Sequence, residues 1–417
     1  MSAPLTGIRV LDLTQYIAGP GATSVLADLG ADVIKVEPVR GEATRHLGSF
    51  GQGMFHAYNR GKRSIAVNLA TTQGRDIASS LMAGADVVVQ NLRPGAMERM
   101  GLGPNQVRQG GSGRPGNPGL IHVSISGFGS SGVAAKRAGL DIAAQAESGL
   151  MSITGETDRE PQRVGFAVVD VATANAAAQA ILAALLHRER GGPGADIDLS
   201  LIETAINIQS ANLIEYFSTG RVPFRSGNGQ PSAAPAADLI RTRDGHIVLS
   251  SYTPPHWAKL CALIGRPELV NDPRLGTLDA RVANRDFLHE VLDSAFESMD
   301  ADACVEWLAE NGLVAGAVRT YEQMAESDNV KELGIIGKIE NPSHDTPDRY
   351  VRLPYRISTV DDQSGASRAP HLGEHTVAIL AELGHSQDRI DELVENEVVV
   401  ANADIPPTSE DVRSRVL

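Results

Sequence analysis

The stretch IRVLDLTQYIAGPGATSVLADLGADVIKVE, Ile8 to Glu37, decides the fold. Ile8 to Leu13 is an apolar run of strand length, the turn AGPG occupies Ala18 to Gly21, and Ala22 to Leu29 reads as a helix closed by Gly30. Val33 to Val36 is a second buried strand, ending at Glu37. Strand, helix and strand in that order form a β-α-β unit. Related units follow: Ser64 to Leu69 is extended, a helix lies around Gly74 to Met82, and Asp86 to Gln90 and Ile121 to Ser126 are further strands. Such alternation predicts an α/β fold with a mostly parallel sheet covered on both faces, and ligands at the carboxyl ends of its strands.

The first turn invites comparison with a dinucleotide fingerprint, because Gly19 and Gly21 precede a helix and Glu37 is placed to accept from a ribose hydroxyl. The pattern fails at its third glycine, where Ser24 stands, and Pro20 sits inside the turn. A site for another anion at the helix start, or a turn with no ligand, remain as readings. Two basic loops stand at strand ends, NRGKRS (Asn59 to Ser64) and NLRPGAMERMGLG (Asn91 to Gly103). Such loops either hold a phosphorylated ligand by charge-assisted hydrogen bonds or are simply solvated. Between Gln106 and Pro118 the composition is too rich in Gly and Pro for an element, which predicts a flexible surface insertion.

The bulk numbers bound the rest. A chain of 417 residues exceeds what one hydrophobic core usually supports, so two domains are expected. With 42% hydrophobic and 21% charged residues the composition is that of a globular protein, and a net charge of -14 argues against a nucleic-acid binder or a membrane-surface protein. Cys261 and Cys304 are too few for a disulfide framework and lack metal-ligand spacing; they read as core fillers in a reducing cytoplasm, with no metal expected. MSAPLTGIRVLDL lacks a basic start followed by a long apolar segment, so no signal peptide is expected. No membrane span is expected either, since the longest apolar run meets His187 and Arg188 too soon.

That run belongs to RVGFAVVDVATANAAAQAILAALL, Arg163 to Leu186. Val164 to Val169 reads as a short buried strand, and the Ala-rich segment after Asp170 as a tightly packed helix. Asp170 at the junction is an N-cap, a reactive carboxylate at a strand end, or both. Further on, Ile197 to Leu199 is a strand, Ile202 to Phe217 an amphipathic helix, and Arg221 to Pro235 has linker composition. A smaller unit then begins with a hairpin (Asp238 to Thr242, His246 to Ser250) and helices around His256 to Ile264, Arg281 to Met299 and Ala301 to Glu310. Trp257 and Trp307 read as core, and His256 as a capping or surface histidine. Ile335 to Ile339 and Tyr350 to Leu353 read as strands.

The ordered series LDLTQYIAGPGATSVLADLGADVIKVEP, NRGKRSIAVNL, ADVVVQNLRPGAMERMGL, SISGFG, GLDIAAQAESGLMSITGE, VGFAVVDVATANAAAQAILAAL, RSGNGQPSAAP and APHLGEHT resembles the family III CoA-transferases, a superfamily that also holds alpha-methylacyl-CoA racemases. The resemblance implies a large Rossmann-like domain with a mostly parallel sheet plus a smaller α+β domain. It divides the chain into a first part of the large domain over 1–200, a linker over 201–230, a small domain over 231–325, and a linker with return to the large domain over 326–417. It also implies an interlocked homodimer in the cytoplasm.

For the site, the resemblance implies that Asp170 is the nucleophile that attacks an acyl-CoA thioester. Arg40, Val67, Asn91, Leu92, Ala96 and Arg99 fall at positions that line the CoA site, and Gly227, Asn228, Gly229 and Gln230 at the loop that closes over it and aims N–H groups at the reacting oxygen. Ile17 stands where formyl-CoA transferases have glutamine, and Leu140 where racemases have histidine in G-H-D; both suggest an apolar substrate lining. Leucine cannot carry a proton, which disfavours racemisation. Asp238 falls near a second acidic residue of racemases and otherwise reads as a surface carboxylate. The expected function is transfer of CoA from an acyl-CoA donor to a carboxylic acid acceptor, with CoA as substrate and no cofactor. A racemase and a silent CoA-binding protein are the alternatives.

Overall fold

The computed structural model describes residues 3–110, 116–230, 238–251, 253–340, 347–358 and 367–402. The chain divides into two compact units, the first comprising Met1–Leu150, Val164–Leu213 and Gly334–Leu417, the second Met151–Arg163 and Ile214–Leu333.

The first unit contains β1 (Arg9–Leu13), α1 (Ala18–Asp28), β2 (Asp32–Glu37), α2 (Gly48–Asn59), β3 (Arg63–Val67), α3 (Thr72–Ala83), β4 (Val87–Gln90), α4 (Ala96–Arg99), α5 (Pro104–Gln109), β5 (Ile121–Ser126), α6 (Asp141–Glu147), α7 (Val168–Glu189), β6 (Ala195–Ser200) and α8 (Leu201–Asn207). The division falls within α9 (Ser210–Thr219). The second unit holds an antiparallel sheet of β7 (Asp238–Arg241), β8 (His246–Ser250) and β9 (Val314–Ala317) with α10 (Pro254–Leu263), α11 (Leu278–Ala283), α12 (Arg285–Phe296), α13 (Ala301–Glu310), α14 (Tyr321–Glu326) and α15 (Asp328–Leu333). The chain then returns to the first unit with a hairpin, β10 (Ile336–Ile339) and β11 (Asp348–Val351), followed by α16 (Thr376–Glu382), α17 (Gln387–Glu395) and β12 (Val399–Val400).

The large sheet runs β12-β3-β2-β1-β4-β5-β6, all pairs parallel except β12 with β3. This is the doubly wound order, in which the chain reverses direction across the sheet between β1 and β4, and the crevice outside their carboxyl ends is the expected ligand position. One face is packed by α1, α7 and α8 around Val10, Val33, Val89, Val123 and Ile181. The other is packed by α3, α16 and α17 around Leu11, Ile34, Ile65, Met82 and Leu393. Trp257, Cys261 and Cys304 lie in the core of the second unit, as expected of them, together with Phe296; Trp307 packs against that core partly buried.

Several boundaries differ from the expectations. The AGPG segment is the first turn of α1 rather than a separate turn; Pro20 there needs no N–H partner, and a Cβ on Gly19 would lie 2.3 Å from Thr14 Cβ. Val164 to Ala167 is not a strand, and α7 begins at Val168. The single helix expected over Ile202 to Phe217 is two, α8 and α9, with residues 208–209 in a turn between them, so most of the first part of the expected 201–230 linker is helical. The first part of the supposed insertion forms α5, and Asn117 donates to the carbonyls of Met82 and Ala85; 111–115 lie outside the described residues, as do 231–237 of the linker. Starting at Val168, α7 is long and apolar enough to cross a membrane, alone among helices of the described residues; here Val169, Ala177, Ile181 and Leu185 pack it against the sheet. The GEHT segment clips the returning chain to β3, with Gly373 N donating to Ser64 Oγ, His375 N to the Ser64 carbonyl, and Thr376 Oγ1 to the Val400 carbonyl.

The basic loop after α2 is internally satisfied. Lys62 is buried, and its Nζ donates to Asp12 Oδ2 at 2.8 Å, to the Pro20 carbonyl at 2.9 Å and to Asn59 Oδ1 at 2.9 Å. Thr23 Oγ1 donates to the same Asp12 oxygen, and Lys35 Nζ lies 3.9 Å from it while donating to the Thr14 carbonyl. Arg63 pairs with Asp32 and Glu382, and Arg60 with Asp28. Glu37, a candidate ribose acceptor in the sequence, is buried and takes hydrogen bonds from Arg45 and Ser64. Burial alone raises the Asp12 carboxyl, yet Lys35 and Lys62 hold it well below the usual carboxylate range; burial pulls Lys62 down to about 8 against the charge of Asp12.

Lys62→Met therefore leaves Asp12 buried without its nearest cation. The variant is expected to lose about 3–5 kcal/mol in urea unfolding followed by far-UV circular dichroism. A loss below about 1 kcal/mol would mean the pair is solvent-screened rather than structural.

Candidate active site

The turn between β1 and α1 forms one wall of the crevice. Tyr16 adopts a left-handed backbone (φ 69°), a conformation costly for a non-glycine residue, and its N–H donates to Glu42 Oε2 at 3.2 Å. Ile17 follows as the buried first residue before α1. Across the switch point, Asn91 at the end of β4 clamps this turn: its Oδ1 accepts from Gln15 N at 3.0 Å and its Nδ2 donates to the Gln15 carbonyl at 2.8 Å. Leu92 N donates to Gln90 Oε1, and the Leu92 side chain packs on the core. Ala96 opens α4, and Arg99 lies over Gly95, where a Cβ would meet its guanidinium at 2.9 Å. Arg40 is exposed in the loop after β2, its carbonyl accepting from His46. Val67 ends β3 with its side chain fully buried in the core. Arg40, Val67, Asn91 and Leu92 thus all stand at the carboxyl edge of the parallel sheet.

Asp170 is the third residue of α7, neither its N-cap nor a strand end. The cap comes from another element. Asp141, first residue of α6, accepts from Val169 N at 2.8 Å and Asp170 N at 3.1 Å through Oδ2, satisfying N–H groups that the helix itself cannot. Gln145, one turn along α6, donates to Asp141 Oδ1 and accepts from Val164 N at 2.9 Å. This pair was not singled out in the sequence, although its i,i+4 spacing is visible there. Two carboxylates are thereby held at one helix start. A helix N-terminus favours the Asp170 anion, but burial, and then the charge of Asp141, outweigh it and push the carboxyl up to about 7.

The packing of α7 on α1 is close because both are small-residue helices at the crossing: a Cβ on Gly21 would stand 2.9 Å from Ala174 Cβ. That contact fixes the Asp170 turn relative to the start of α1. Leu140, by contrast, is 59% exposed while Ile17 is only 8% exposed, so the two do not share a closed apolar lining within the chain.

Gly227, Asn228, Gly229 and Gln230 lie in the second unit. There Gly227 N donates to the Gly155 carbonyl and Gly229 N to the Ser226 carbonyl, both at 3.0 Å, so these N–H groups are engaged rather than open to a substrate oxygen. Asp238 is not a surface carboxylate. It is buried on β7 with Arg285 Nε at 2.6 Å and His289 Nε2 at 2.8 Å, and these partners overcome burial to bring it down to about 2. His256 lies in the first turn of α10, its N–H donating to Thr253 Oγ1. Among the described residues, no group of three or more His, Cys, Asp or Glu is placed to hold a metal ion.

A model of CoA-transferase family III matches residues 5–376. The chain belongs to this family. Within the family, a Mycobacterium tuberculosis protein named as a probable fatty acyl-CoA transferase is 37% identical over 405 residues, covering 91% of this chain and 98% of the relative. Human succinyl-CoA:glutarate CoA-transferase is 34% identical over 405 residues, covering 95% of this chain and 90% of the relative. The structure of a CaiB/BaiF family protein from Brucella suis matches at TM-score 0.82 and 36% identity, over 92% of this chain and 100% of that one.

The raised Asp170 carboxyl has a consequence for stability. Between its ordinary value of 3.8 and about 7 the folded chain binds more protons than the unfolded chain, so stability falls as pH rises through that window. Asp170→Asn removes this loss and is expected to raise the thermal midpoint at about pH 8 while leaving it nearly unchanged at about pH 4. A lowered midpoint at the higher pH would mean that the ionised carboxylate is a net stabiliser.

Proposed function

We propose that the protein moves CoA from an acyl-CoA thioester to a free carboxylic acid, with Asp170 as covalent nucleophile. The observation that carries this reading is a half-buried carboxylate held at a helix start by a second carboxylate, on the helix packed against α1, in a chain of CoA-transferase family III.

The steps balance without a metal or redox partner. The Asp170 carboxylate attacks the thioester carbonyl, the C–S bond breaks, and CoA leaves as thiolate; the product on the enzyme is a mixed anhydride. The thiolate attacks the aspartyl carbonyl carbon and expels the donor acid as carboxylate, leaving an aspartyl-CoA thioester. The acceptor carboxylate then displaces the thiolate to form a second anhydride. Return of the thiolate to the acceptor acyl carbon yields the new acyl-CoA and frees Asp170. Arg40, Asn91, Leu92, Ala96 and Arg99 are the residues we assign to holding CoA, with Val67 beneath them. The Gly227–Gln230 turn would supply N–H donors to carbonyl oxygens only by giving up its internal bonds. Relatives named for succinyl-CoA with glutarate support a dicarboxylate pair as the first substrates to try. Leu140 lacks the proton-carrying group a racemase needs. On the family resemblance we also propose an interlocked homodimer, and on the chain's two unpaired cysteines a cytoplasmic one.

Succinyl-CoA incubated with a panel of carboxylic acids should yield new acyl-CoA esters, and Asp170→Asn should lower the rate by at least about three orders of magnitude. The same exchange retained by the variant would refute the nucleophile. Because the attacking form is ionised, kcat/KM should rise with pH to a plateau above about 7. Asp141→Asn keeps an acceptor oxygen and removes the charge, so it should move that rise to lower pH.

A further inference from the structure

Gly21 is where three helices meet. A Cβ built there would stand 2.9 Å from Ala174 Cβ on α7 and 3.5 Å from Tyr58 Cδ1 on α2. Ala174 lies one turn along α7 from Asp170, so the Tyr58 ring packs beside the nucleophile's own face of that helix. Burial first, and then the charge of Asp170, hold the Tyr58 phenol above its ordinary range, as expected for a hydroxyl within electrostatic reach of that carboxylate. The ring is half-buried, and the hydroxyl has no hydrogen-bond partner among the described residues. A tyrosine anchored by its ring at Gly21, against the turn of α7 that follows Asp170, with an unused O–H, is suited to binding a substrate oxygen.

Resting on the transferase reading above, we propose that Tyr58 positions the free acid, its O–H donating to the acid's carboxylate as that acid enters or leaves beside Asp170. The acid needs such a donor. Asp141 places negative charge at this helix start, and among the described residues no Lys or Arg charge offsets the rise of the Asp170 carboxyl. A neutral phenol attracts a carboxylate without forming a lasting ion pair with Asp170 between turnovers. In the reaction, one oxygen of the acceptor attacks the aspartyl-CoA carbonyl carbon while the other accepts from Tyr58. The phenolic proton stays on Tyr58 throughout, and the thiolate carries away the electron pair of the broken C–S bond. In the reverse half-reaction the same hydrogen bond receives the departing donor acid.

Tyr58→Phe keeps the ring against Gly21 and removes only the hydroxyl. The expected result is a KM for the acceptor acid raised at least about tenfold, with the KM for acyl-CoA changed by less than about twofold and an unaltered thermal midpoint. An unchanged acceptor KM overturns the proposal. So does a parallel rise in both KM values with a lowered midpoint, which marks a packing role. Wild-type protein that neither exchanges CoA nor acquires a covalent adduct on Asp170 from acyl-CoA refutes the transferase reading itself and removes this proposal with it. A normal wild-type adduct with an unchanged acceptor KM in the variant refutes Tyr58 alone.

Discussion

The Asp12–Lys62 ion pair is the constraint on which the candidate site depends. A carboxylate at the end of β1 and an ammonium ahead of β3 are buried together, which is tolerable only because the remaining lone pairs and protons find Thr14, Thr23, Asn59 and the Pro20 carbonyl. Through Pro20 and Thr23 the pair fastens the first turn of α1 to the sheet. Through Gly21 and Ala174, α1 in turn sets the depth of α7 and hence the place of Asp170. A nucleophile of the proposed kind must be held within a fraction of an ångström, and the Asp170 turn is held by charges buried several residues away from it.

The start of α7 shows the tension between stability and chemistry. An Ala-rich helix with a cap residue of its own would be more stable than one capped by a distant aspartate beside a second, half-buried carboxylate. The arrangement has a chemical use: Asp141 takes up the N–H groups of Val169 and Asp170, leaving the Asp170 oxygens free of helix-capping bonds. A carboxylate whose ionisation lies near neutrality is a better nucleophile than one held at an ordinary value, and a better leaving group than a more basic oxygen anion.

Much of the fold was legible in the residues because the parallel strands are short, apolar and bounded by glycine: β1, β2, β4 and β5 lie where the runs predict them. The helix α2, GSFGQGMFHAYN, was not legible, since its three glycines argue against helix and its position depends on packing, Gly51 allowing the close approach of the Thr44 carbonyl. Burial misled the reading of NRGKRS. Lysine in a loop reads as solvated, and only the fold reveals that Asp12, fifty positions earlier, lies beneath Lys62. Asp170 stood out through the order of distant stretches rather than through its own neighbourhood, whereas Asp141 shows there only its i,i+4 spacing to Gln145, and Tyr58, on another element, has no local signature. Asp238 looked exposed because a strand of alternating residues does not say which face is covered; α12 covers it with Arg285 and His289.

The central claim is that an oxygen of Asp170 becomes part of an anhydride in every turnover, and isotope transfer tests it directly. Turnover of acyl-CoA with an acceptor acid labelled in both carboxyl oxygens with heavy oxygen should deposit label in the Asp170 carboxylate, read as a mass increase confined to the peptide that contains it. Turnover that leaves that peptide unlabelled would contradict the account, since the acid would then have received CoA without passing through an aspartyl anhydride.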